Sequence, residues 1–299
     1  MQTLPIRKAI GATFAFILHH WQDVLRIVWA PVTLLEVGSV LIAFGLSGVQ
    51  AGAPNIATPE QALAALSAGM PLLIALILLN VYAFLVTYAG LLKLLIRGER
   101  PKLPFYLGFG ADEQRLLGCS LLVAGILIGV YFAAAIIAGL IASFAVALDG
   151  RAEPSSAVTS VIIIFVLGVS AWFGARLFLA MPATVALNRI GVGASWSRTK
   201  GATAPIFLYL LFWLLLGALL QAGFIALTEP GYFDFMASMF SGAGLNQANM
   251  PAPAELGSAP WLLNVVLSFV MTLLIYVFGV AAPAVAWRLL TDQEQRATP

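Results

Sequence analysis

The sequence predicts an all-α, polytopic membrane protein, with six transmembrane helices and interfacial amphipathic helices on the cytoplasmic side. Three observations predict it. Of the 299 residues, 61% are hydrophobic and only 9% are charged, where a soluble domain carries about 25% charged residues. Six apolar stretches are each long enough to cross a hydrocarbon core about 30 Å thick, which takes about 20 residues of helix. The charges, finally, are segregated between alternate connections. Such a composition excludes a soluble enzyme, and a single cysteine, Cys119, excludes a disulfide within the chain.

The first element is not a span. Pro5 to Trp21 sets Ile6, Ile10, Phe14 and Ile17 on one helical face and Arg7, Lys8 and His19 off it, the pattern of a helix lying in the headgroup layer over 5–22. His19, His20, Gln22 and Asp23, with no small-residue cleavage site after them, argue against a signal peptide. The spans follow at Arg26 to Leu46, Met70 to Ile96, Leu117 to Leu148, Val158 to Pro182, Ala204 to Thr228 and Trp261 to Leu290. All belong to one integral membrane domain, 1–299. Thr58-Pro59-Glu60-Gln61 combines an N-cap, a first-turn proline and a capping-box residue, predicting a short helix over Pro59 to Ser67. Tyr232, Phe233, Phe235, Met236, Met239 and Phe240 predict another, resting on the outer leaflet.

Phe105 to Gly118 and Gly193 to Ala204 mix charges with apolar residues as Pro5 to Trp21 does, so a unit of interfacial helix, span, loop and span is expected three times. The ends of spans four and six support it, since Met181-Pro182-Ala183-Thr184-Val185-Ala186 matches Ala282-Pro283-Ala284-Val285-Ala286.

All but one of the 15 Lys and Arg, Arg151 being the exception, lie on the side of the two termini. The opposite connections hold Glu60, Asp149, Glu153, Glu229, Asp234 and Glu255. The bias of Lys and Arg toward cytoplasmic loops then places both termini in the cytoplasm.

Two charges fall well inside spans, Glu36 in the first and Arg176 in the fourth. Each costs about 2.5–3.5 kcal/mol at mid-bilayer, so such residues pair, face a cavity or serve function. Their depths differ by about 6 Å at 1.5 Å of rise per residue, which an arginine side chain covers, so a Glu36–Arg176 pair is expected. Asn80, Gln221 and Asn264 are expected to bridge helices, and Gly125 and Gly129 form a GxxxG predicting a close helix contact, either within the bundle or between protomers. On the basic side, Lys93, Arg97, Arg100, Lys102, Arg115, Arg198 and Lys200 form the candidate surface for anionic headgroups, at about 1 kcal/mol per charge. No metal or cofactor is expected: the adjacent His19 and His20 lack further ligands, and no hydrolase, metalloprotease or nucleotide-binding motif occurs.

Two stretches carry a family resemblance. Trp196-Ser197-Arg198-Thr199-Lys200-Gly201 and Asp112-Glu113-Gln114-Arg115-Leu116-Leu117-Gly118 resemble corresponding segments of the YciC-like group of bacterial six-span membrane proteins. That group is related to the membrane domain of some glycerophosphoryl diester phosphodiesterases. The resemblance implies a six-span fold in the inner membrane and does not specify a reaction; the phosphodiesterase's activity is not carried over, since its catalytic domain is absent from this sequence. The expected function is therefore a non-enzymatic inner-membrane protein that contacts lipid headgroups and partner membrane proteins, or a second copy, with no nucleic-acid partner. The alternative is a small-solute or lipid translocator with its site at Glu36 and Arg176.

Overall fold

The computed structural model describes residues 4–51, 59–101, 103–149, 156–228, 232 and 258–297. Among these there is no strand. In chain order the helices are α1 (Ile6–His19), α2 (Trp21–Ala51), α3 (Pro59–Leu92), α4 (Ala111–Asp149), α5 (Ser156–Leu177), α6 (Ala180–Leu187), α7 (Val192–Arg198), α8 (Thr203–Thr228) and α9 (Ala259–Ala297). Among the described residues six segments are long and apolar enough to cross a bilayer: α2, α3, α4, α5 with α6, α8 and α9. An even number of crossings puts both termini on one side, and Leu4 and Leu290 indeed share a buried cluster.

Helix α1 is too short to cross. Its 14 residues span about 21 Å against about 30 Å of hydrocarbon. It passes across α9 instead. Ile6 and Ile10 join one apolar cluster, with Ala175, Ile206 and Trp287. Ala12, Phe16 and Ile17 join the other, with Val28, Leu92 and Val280. Both clusters lie near the termini end of the bundle. Toward the opposite end, Leu41, Ile77, Ile136, Ile164, Leu219 and Val266 are all exposed. The reason is the solvent: lipid tails are as apolar as leucine, so nothing drives those side chains together.

Several sequence-based expectations need correction. Pro59 to Ser67 is no separate helix; it forms the first turns of α3, which runs on through Gly69 and Pro71. Residues 103–110 are not helical, and α4 starts only at Ala111. An interfacial helix thus precedes the third span nowhere, and the threefold unit holds only for α1 and α7. The helix expected over Tyr232 to Phe240 falls outside the described residues apart from Tyr232.

The two matching proline segments also differ. Each proline lacks the N–H that would bond the carbonyl four residues back. Pro283 frees Gly279, whose oxygen accepts the Tyr88 hydroxyl at 2.9 Å, and α9 runs on unbroken. Pro182 frees Phe178, and there the fourth span breaks between α5 and α6. Gly191 locks the connection behind the break. A Cβ there would stand 2.5 Å from the Ala183 Cβ and 2.6 Å from the Thr184 nitrogen, so only glycine fits. Its N–H donates to Thr184 Oγ1 at 2.9 Å.

Candidate functional site

The termini end holds most of the basic residues, and its geometry begins with two acids in the first turn of α4. Glu113 completes the carboxylate half of a capping box: the Gly110 N–H donates to its Oε2 at 2.7 Å. Its Oε1 accepts from the Tyr106 hydroxyl at 2.6 Å and from Lys93 Nζ at 3.0 Å, and the residue is fully buried. Asp112 takes a two-pronged bond from Arg97, at 2.8 and 3.2 Å, with Arg115 at 3.0 Å and Lys93 at 3.4 Å. Two negative side chains at a helix N-terminus also oppose the helix dipole favourably. A π turn, Lys93–Arg97, ended by Gly98 at φ 70°, brings Lys93 and Arg97 to them. Arg97 reaches further, donating to the Val185 carbonyl and to Asn188 Oδ1, both at 2.6 Å, and so ties α3 to α6. Burial, and next the bond to Glu113, push the Tyr106 hydroxyl up to about 12, against the opposing pull of Lys93.

This network corrects the expected headgroup surface. Lys93, Arg97 and Arg115 face inward to Asp112 and Glu113. Arg198 is likewise engaged: it meets Glu294 at 2.9 Å, donates to Thr291 at 2.6 Å and stacks 3.8 Å over Trp287. The signal was readable in part, since the acids that neutralise Lys93, Arg97 and Arg115 sit in the same connection. Lys102 falls outside the described residues. Arg100 and Lys200 remain exposed; Arg100 is 71% exposed, with Asp23 at 3.6 Å.

Arg100 opens a groove of about 390 Å³ along the non-helical connection, lined further by Pro101, Leu103, Phe105, Tyr106 and Leu107. Two aromatic donors pin that connection. Trp29 Nε1 donates to the Pro104 carbonyl at 2.9 Å, and the Tyr82 hydroxyl to the Leu107 carbonyl at 2.8 Å. Leu103, Phe105, Leu107 and Phe109 are left exposed. None of these was a candidate from the sequence except Arg100. A run of alternate apolar residues between two span ends was the available signal.

Glu36 and Arg176 do not pair. Helix α2 packs on α3 and α9, whereas α5 packs on α4, α7 and α8. Glu36 accepts from Thr272 at 2.8 Å and from Ser268 at 3.4 Å, both on α9. Arg176 is buried, its guanidinium 4.4 Å from the Trp196 ring and 5.8 Å from the Trp172 ring. Other expectations fail by the same cause, the choice of neighbours. Asn80 bonds its own helix at Leu76. Gly125 and Gly129 make no close contact within the bundle: they meet nothing within 4 Å and face outward. Gln221 lines an apolar cavity of about 470 Å³ between α8 and α9, beside Trp213 and Phe278.

Among the described residues no group of three or more His, Cys, Asp and Glu is placed to hold a metal. The fold defines an all-helical, multi-pass membrane protein with its polar network at one end. No family model, curated protein or solved structure matches the chain.

Proposed function

We propose that this chain is a non-enzymatic protein of the bacterial inner membrane. Its termini face the cytoplasm, its basic end engages anionic phospholipid headgroups, and partner membrane proteins or a second copy bind beside it. One observation carries the reading: an exposed guanidinium, Arg100, stands at the head of a groove lined by the exposed Leu103, Phe105 and Leu107. A cation beside apolar side chains at a span end matches the two halves of a phospholipid, a charged head and an acyl chain. The translocator alternative keeps Glu36, with the Ser268 and Thr272 hydroxyls, but loses Arg176 as its partner.

Native mass spectrometry from nanodiscs of mixed phosphatidylglycerol and phosphatidylcholine tests the proposal. Wild type should retain phosphatidylglycerol preferentially, and Arg100→Gln should retain one molecule fewer. Equal retention by the two proteins would overturn the groove as a lipid site.

A further inference from the structure

We infer that Arg176 is a second phosphate site, occupied by the headgroup of an anionic membrane phospholipid at the break between α5 and α6. The inference deepens the lipid-binding reading but rests on different residues from the Arg100 groove.

The break creates the site. The end of α5 leaves the Arg176 carbonyl without a helical partner, and α7 supplies two donors, Ser195 Oγ at 2.8 Å and Thr199 Oγ1 at 3.3 Å. Those bonds draw α7 against α5 and bring Trp196 onto the Arg176 guanidinium. Trp172, one turn back on α5, stands against Trp196 with ring centres 5.5 Å apart. The arginine is only 6% exposed.

What its guanidinium lacks is a negative partner. No hydrogen bond or ion pair to it occurs among the described residues, and its Nε is fully shielded with no acceptor. Arginine cannot relieve this by losing a proton. Indole faces attract the cation from above its plane but accept none of its N–H groups, which lie in the plane. An uncompensated buried charge is strongly unfavourable. Every other inward-turned base described above meets a carboxylate: Lys93, Arg97, Arg115 and Arg198 all do.

The missing acceptor is therefore an oxyanion with at least two oxygens, matching the guanidinium fork. At the end of a transmembrane helix, the anion present at high local concentration is the lipid phosphate. Two neighbours suit it: Lys200, exposed and next to Thr199 in the chain, adds positive charge, and Trp172 offers a half-exposed indole of the kind found at headgroup level.

The test uses the full chain in detergent and in nanodiscs. Phosphatidylglycerol added to detergent-purified wild type should raise the melting temperature, and neither phosphatidylcholine nor inorganic phosphate should do so. Equal protection by inorganic phosphate would overturn the lipid assignment. In nanodiscs, Arg176→Gln should retain one phosphatidylglycerol fewer than wild type, and Arg176→Lys should bind it about tenfold more weakly, having the charge without the fork. Arg100→Gln should leave the Arg176-dependent molecule in place, so the two sites fail separately. If Arg176→Gln melts with wild type in phosphatidylcholine yet retains as much phosphatidylglycerol, the site does not exist. If that variant does not fold, the wild-type titration decides: no rise with phosphatidylglycerol overturns the inference.

Discussion

Glu36 and Arg176 each carry a charge into a transmembrane segment, and each is accommodated by a different neighbour. The carboxylate is met by hydroxyls on α9, spaced four residues apart and so on one face. The guanidinium is met by two indoles from α5 and α7. Residues with no shared partner contribute independently, within about 0.3–0.5 kcal/mol. The changes in melting temperature of Glu36→Gln and Arg176→Gln should therefore add in the double variant. A double variant more stable than that sum would show coupling and restore the expected pair. Thr272 carries the short bond to Glu36, and a hydrogen bond to a charged group contributes about 1.5–3 kcal/mol, so it is the hydroxyl most worth removing first.

At the scale of elements, the two matching proline segments end differently. Tyr88 donates to the freed Gly279 carbonyl, and α9 continues through Pro283. At Pro182 the helix parts, and the connection after α6 returns to pack on it. Gly191 is the close point of that return. Alanine there would drive a methyl into the backbone at Thr184 and Ala180, which stand 2.6 and 2.7 Å from the Cβ position. Backbone cannot rotate away as a side chain can, so Gly191→Ala should cost about 1–3 kcal/mol. Thermal unfolding in detergent checks it. Gly193→Ala is the control: its Cβ would meet nothing within 4 Å, and its effect should be within about 0.5 kcal/mol. Equal losses from the two would mean that this packing is not the native one.

The whole molecule is asymmetric between its ends. Apolar burial and the ion-pair network both gather at the termini end, while the opposite halves of the spans turn large apolar side chains outward. A bundle so built needs lipid around its far half and headgroups around its near half. Both termini should lie in the cytoplasm, with the Arg100 groove and α7 beside them. The native Cys119 is fully buried, so single cysteines can be introduced over a quiet background. An impermeant maleimide applied to intact cells should leave Arg100→Cys and Arg198→Cys unlabelled and should label Arg151→Cys. Labelling of position 198 from outside would invert the topology.

Composition and charge asymmetry were enough to determine the class of fold, the number of spans and the side on which the basic residues gather. The reason is that membrane insertion is governed by additive, local quantities: apolar length per span and charge per connection. The capping glutamate of α4 was not: with Gly110 in place of the serine or threonine that marks a capping box, nothing in the sequence set the start of that helix at Ala111. Nor was pairing. That Lys93 and Arg97 turn to Glu113 and Asp112, that Arg176 meets tryptophans and Glu36 meets hydroxyls, depends on which helices become neighbours. Depth along one helix, all that the sequence offers, says nothing of azimuth. Only the tertiary structure decided these contacts, because a charge inside a membrane protein takes the nearest partner that the packing brings to it, whatever its sign would prefer.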